Sequence, residues 1–101
     1  MTKIARETGV ERFLKDQTEK LGGYCLKLTV IIGIPDRLVI LPGGIIAFVE
    51  CKRPKGGVYS NAQKIWRKRL RGLGFAWYGA HTREEVRNVL AAITRVPEGC
   101  D

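Results

Sequence analysis

Apolar and polar positions change period several times along the chain, and each change marks an element. Between Thr8 and Leu21 the positions Val10, Phe13, Leu14, Gln17 and Leu21 recur at helical spacing, and Gly22-Gly23 follows as a stop signal. Residues 24–30 switch to a period of two, with Tyr24, Leu26, Leu28 and Val30 alternating against Cys25, Lys27 and Thr29, which predicts a strand ended by Gly33 and Pro35. Two further apolar runs, 36–41 and 45–52, flank Pro42-Gly43-Gly44 and predict a β-hairpin. A three-residue loop pairs Leu41 with Ile45 and sets Asp36 opposite Glu50, whereas a two-residue loop shifts that partner to Cys51.

After a loop over 54–59, Ser60-Asn61-Ala62-Gln63 has the form of a capping box opening a helix to about Arg71. Its predicted apolar stripe is Ala62, Ile65, Trp66, Leu70 and Leu73, while Lys64, Arg67, Lys68 and Arg71 share another face. Gly72 and Gly74 close this helix, and residues 75–78 predict a strand reached by a right-handed parallel crossover. Thr82 with Glu85 repeats the capping pattern and opens a last helix to about Ile93, with Val86, Val89, Leu90 and Ile93 inward. The order is therefore α-β-β-β-α-β-α, an α/β fold with a mixed sheet flanked by helices.

At 101 residues, residues 1–101 are expected to form one domain with its core at about 8–93. The longest apolar run falls far short of the roughly 20 residues a membrane span needs. The first residues, with Lys3, Arg6, Glu7, Glu11 and Arg12, lack the apolar stretch of a secretory signal, so a cytoplasmic protein is expected. The three cysteines, Cys25, Cys51 and Cys100, form no zinc spacing and are read as reduced thiols. His81, the single histidine, argues against hydrolases built on histidine chemistry. No small-molecule cofactor is expected.

Charge changes the picture more. The net charge of +8 is concentrated in the second half, and Lys52 to Arg71 holds eight Lys and Arg with no acid. Such a surface suits an acidic polymer, DNA or RNA. Lys27, Arg53, Lys55, Lys64, Arg67, Lys68 and Arg71 are the candidate nucleic-acid contacts. Trp66 and Trp77 are expected in the core, and His81 in a loop.

Glu50 and Lys52 stand two apart on one strand, so their side chains leave the same face, while Val49 and Cys51 point to the other. With Asp36 alongside, they form a polar cluster that an apolar core would not select. Two converging carboxylates suit a hard divalent cation such as Mg²⁺. Lys52 would orient or deprotonate an attacking water, or stabilise charge on a phosphate. Glu11, flanking the apolar stripe of the first helix, is a further candidate ligand. The bland alternatives are a solvated cross-strand ion pair for Glu50 and Lys52, a surface acid for Glu11, and capping alone for Gln63.

Gly33-Ile34-Pro35-Asp36 followed by Glu50-Cys51-Lys52, with thirteen residues between Asp36 and Glu50, resembles the PD-(D/E)xK nuclease signature. The run from Ile46 to Gly56, with Ser60, Gln63, Trp66 and Leu70 after it, is similar to the VRR-NUC (virus-type replication-repair nuclease) branch, over about residues 8 to 80. The resemblance implies a restriction-endonuclease-like fold and Mg²⁺- or Mn²⁺-dependent phosphodiester hydrolysis. It places the catalytic site at Asp36, Glu50, Lys52 and Gln63, with Glu11 and the main-chain carbonyl of Cys51 joining Asp36 and Glu50 as metal ligands. It further implies a DNA substrate, branched as in a Holliday junction, and a homodimer with two active sites. The rival expectations are a non-catalytic basic nucleic-acid-binding module and a nuclease subunit of a larger replication or repair complex.

Overall fold

A computed structural model describes residues 8–53 and 57–94. Its elements are α1 (Gly9–Lys20), β1 (Tyr24–Lys27), β2 (Arg37–Leu41), β3 (Ile45–Cys51), α2 (Asn61–Gly72), β4 (Ala76–Ala80) and α3 (Arg83–Thr94). The four strands form one sheet in the order β1-β2-β3-β4, antiparallel except for the parallel pair β3 and β4. The expected order and the mixed sheet are both present.

The hairpin is set by its turn. Gly43 and Gly44 take φ of 90° and 76°, values that a Cβ disfavours. The resulting three-residue loop pairs Leu41 with Ile45 and Arg37 with Val49, so Asp36 arrives beside Glu50 at the end of the ladder.

The two faces of the sheet are covered unequally. Cys25, Val39, Leu41, Val49, Cys51 and Ala80 point to one face, where they pack with Val10 and Leu14 of α1 and with Val86, Val89 and Leu90 of α3. Each fully buried aliphatic side chain here contributes about 1.5–3 kcal/mol. The opposite face carries Glu50 and Trp77 and meets α2 chiefly along β4, with Gln63 reaching Glu50 of β3.

That asymmetry explains several departures from the sequence reading. The first strand ends at Lys27 rather than Val30: the Leu28 amide still bonds across to the Asp36 carbonyl, and the chain then leaves the sheet and turns through 31–34. Within β1, Cys25 is buried while Tyr24 and Leu26 are exposed, since this edge strand lies farthest from α2. Along α1 the buried set is Val10, Glu11, Leu14 and Thr18, and Leu21 is exposed. The stripe is rotated toward Glu11 by a cation described below. Of the stripe expected on α2, only Leu70 is buried, and Ile65 and Leu73 stay exposed. Trp77 is buried as expected, but Trp66 is half-buried under the Arg69 guanidinium, 5.1 Å from its ring.

Candidate active site

Asp36 and Glu50 are bound to each other's strands. The Asp36 amide donates to Glu50 Oε2 at 2.9 Å, and the Cys51 amide donates to Asp36 Oδ2 at 3.0 Å. The hairpin register brings the two carboxylates together, and these reciprocal bonds fix their orientation.

Gln63 approaches from α2. Its Nε2 donates to Glu50 Oε1, while its Oε1 accepts from the Ser60 amide at 2.8 Å and its own amide donates to Ser60 Oγ at 3.1 Å. Capping and site contact, alternatives in the sequence, are therefore performed by one side chain. Gly33, at φ 89°, lies so close to the Ala62 backbone that no Cβ fits, which sets the loop before Asp36 against the first turn of α2.

Lys52 Nζ stands 3.9 Å from Glu50 Oε1 and is 20% exposed, so it borders both the acids and solvent. Its ammonium lies 5.7 Å from the Tyr59 ring. Tyr59 is edge-on to Trp77 and to His81, and its hydroxyl fills the space that a Cβ on Gly79 would take. Gly79 pairs with Glu50 in the β3–β4 ladder, so Tyr59 forms a wall of the site. His81 is tied to Glu85 by its amide at 2.8 Å and its Nδ1 at 3.2 Å.

Burial leaves this charge poorly compensated. Desolvation, then the charge of Asp36, pushes Glu50 up to about 7, and desolvation likewise raises Asp36. Burial also pushes the Cys25 thiol up to about 11 and raises that of Cys51, consistent with both as reduced, inert core residues.

Glu11 has a different setting. It is 4% exposed, under α1, with Oε2 accepting from Arg37 Nε at 2.8 Å and Lys27 Nζ at 3.1 Å. Arg37, itself 3% exposed, also donates to the Cys25 carbonyl at 3.1 Å. Glu11 is thus not a surface acid. Among the described residues no three His, Cys, Asp or Glu side chains gather as a ligand set. What converges is two carboxylates, with Lys52 and Gln63 beside them. Two carboxylates and a carbonyl such as that of Cys51 are hard oxygen donors, and with two acids drawn together beside a single described lysine they fit a divalent cation.

The expected basic face of α2 is divided. Lys64, Lys68 and Arg71 are exposed and Arg67 is half-buried, but Arg67 and Arg71 also lie 5.4 and 5.3 Å from the Trp77 ring, and Arg71 donates to the Trp77 carbonyl at 3.2 Å. Arg53 is exposed, Lys27 is turned onto Glu11, and Lys55 lies outside the described residues.

Sequence reading missed Arg37 and Tyr59. Arg37 shares its alternation with Val39 and Leu41, an inward position that signals a buried cation in need of an acid. Nothing comparable marked Tyr59.

No family model matches the chain. The protein is 44% identical over 54 residues to a protein named as a nuclease, p44 of Acyrthosiphon pisum secondary endosymbiont phage 1, a match covering 52% of this chain and 58% of that relative. It is also similar to a solved structure described as a VRR_NUC domain, at a TM-score of 0.75 and 32% identity over 80% of this chain and 89% of the other. With the Asp36, Glu50 and Lys52 cluster on a fold shared across that length, the chain belongs to the VRR-NUC domain family.

Proposed function

We propose that the protein is a nuclease hydrolysing phosphodiester bonds in DNA with Mg²⁺ or Mn²⁺. One observation carries the reading: a buried and a half-buried carboxylate, Glu50 and Asp36, held together by cross-strand amides, with a part-exposed lysine beside them. Asp36, Glu50 and the Cys51 carbonyl would hold the cation, which supplies Lewis-acid polarisation of the phosphate and a more acidic water. Asp36 and Glu50 keep their oxygens aimed by the cross-strand amides. Gln63 holds Glu50 from the far side, and Lys52 meets negative charge that develops on the phosphate. Glu11, clamped by Arg37 and Lys27, keeps the ends of β1 and β2 in register beneath Asp36.

The substrate is branched DNA, with a four-way junction first among the candidates. Among the described residues no His, Cys, Asp or Glu cluster forms a zinc module, and the exposed Arg53, Lys64 and Lys68 suit backbone contact. A two-fold junction calls for two sites, supplied by a homodimer. The uncovered sheet surface at Tyr24, Leu26 and Ile46 supports pairing of two copies at the hairpin end, away from the acids.

The test is cleavage of labelled four-way junction, flap, duplex and single-stranded DNA with Mg²⁺, Mn²⁺ or EDTA, comparing wild type with Asp36→Ala and Lys52→Ala. Metal-dependent cutting by wild type, absent in both variants, is the expected result. Salt-sensitive binding without cutting under every metal condition would leave a non-catalytic binding module instead.

A further inference from the structure

The loop joining β1 to β2 carries the most exposed large aliphatic side chains among the described residues. Val30 and Ile32 are 86% and 89% exposed, and Ile31 is 49% exposed. The loop is nevertheless fixed. Its base is closed by the Leu28 amide on the Asp36 carbonyl at 2.8 Å, its tip is tightened by the Ile34 amide on the Ile31 carbonyl at 3.2 Å, and its flank rests through Gly33 on Ala62. It therefore stands between Asp36 and the first turn of α2, where Lys64 is exposed.

Holding three β-branched side chains in water is unfavourable by about 25 cal/mol for each Å² left uncovered. We propose that Val30, Ile31 and Ile32 form a wedge that enters the base stack at a branch point while the DNA backbone crosses Asp36 and Glu50. Proteins that unstack base steps do so with apolar side chains of this size. β-branched side chains suit the task because χ1 is already restricted, so little rotamer freedom is lost on insertion. A branch point is where insertion costs least, since stacking there is already interrupted.

Charge selects DNA over a second copy as the occupant. The loop rests on the first turn of α2, whose exposed Lys64 and Lys68 belong to a sequence stretch, Lys52 to Arg71, with eight Lys and Arg and no acid, so two copies meeting here would oppose like charges. A polyanion is drawn to the same surface. The inference rests on the nuclease reading for its substrate, yet it can be tested without cleavage.

The experiment places 2-aminopurine at the branch of a four-way junction and, separately, inside a linear duplex, and adds wild type or the double variant Val30→Ser/Ile32→Ser in EDTA and in Mg²⁺. Both positions are exposed, so the variant keeps its fold, checked by melting. Wild type should raise fluorescence at the branch but not in the duplex. The serine variant should lose that rise and bind the junction roughly tenfold more weakly, with duplex binding unchanged, and Val30→Ile/Ile32→Leu should retain both. Equal fluorescence for wild type and serine variant, or no rise with wild type, overturns the wedge. So does conversion of a dimer to a monomer by the serine pair in light scattering, which would make the loop a subunit contact. A branch-specific rise with no cutting of any DNA would sink the nuclease activity and leave the wedge standing.

Discussion

The two faces of the sheet each bury an acid, and they treat it in opposite ways. Beneath α1, Glu11 has two cations on one oxygen, and Arg37 has its remaining capacity partly met by the Cys25 carbonyl. On the α2 side, Glu50 is 1% exposed and faces another carboxylate, and among the described residues it is Lys52, at 3.9 Å, that offsets it. The first arrangement is closed within the protein. The second is open and fits a cation or a phosphate bridged by one.

Breaking the closed side should have the largest effect. Arg37→Ala leaves Glu11 buried with Lys27 alone and should cost about 3–5 kcal/mol in urea unfolding. A cost below about 1 kcal/mol would mean that Glu11 and Arg37 are not mutually dependent. The open side should instead give a pH signature. Glu50 titrates near 7 when folded and 4.5 when free, so the native state keeps a proton that the unfolded chain releases. Metal-free stability is thus greatest below about pH 4.5 for this group and falls as pH rises through 7, by on the order of 2–3 kcal/mol. Melting curves at several pH values, with EDTA and with Mg²⁺, should show that fall and its reduction by the metal.

Asp36→Asn sharpens the contrast further, because it removes the like charge and leaves an oxygen for the Cys51 amide. The metal-free variant should gain about 1–2 kcal/mol at pH 8 while cleavage is lost. Reduced stability would show that the carboxylates do not repel. The smallest change is expected for Gln63→Ala, about 1 kcal/mol of helix stability from the lost capping box together with about a 10–100-fold drop in cleavage. A variant that melts lower but cuts normally would confine Gln63 to capping.

What could be read from sequence follows the range of the interactions. The turn at Pro42-Gly43-Gly44 and the Ser60 cap rest on neighbouring residues and were legible, and strand counting narrowed the partner of Asp36 to Glu50 or Cys51, a choice that the three-residue loop decides. Burial of Glu11 depends on Arg37, 26 residues away, and the helix pattern alone favoured Leu21 instead. The amphipathic pattern of α2 overstated its cover, because a pattern records which face is apolar but not whether the sheet reaches it. Separation of Arg67 and Arg71 from Lys64 and Lys68 came from Trp77, a tertiary neighbour that helical spacing does not contain.

Gln63 also gives the site a dynamic property. The same side chain closes the first turn of α2 and grips Glu50, and helix ends open more often than helix centres. A local opening of that turn would release Glu50 on one side, so the fraction of sites with Glu50 held would follow the fraying equilibrium of a single helical turn. Amide exchange at Gln63 and Lys64, whose N–H groups bond to the Ser60 side chain and carbonyl, would measure that population directly.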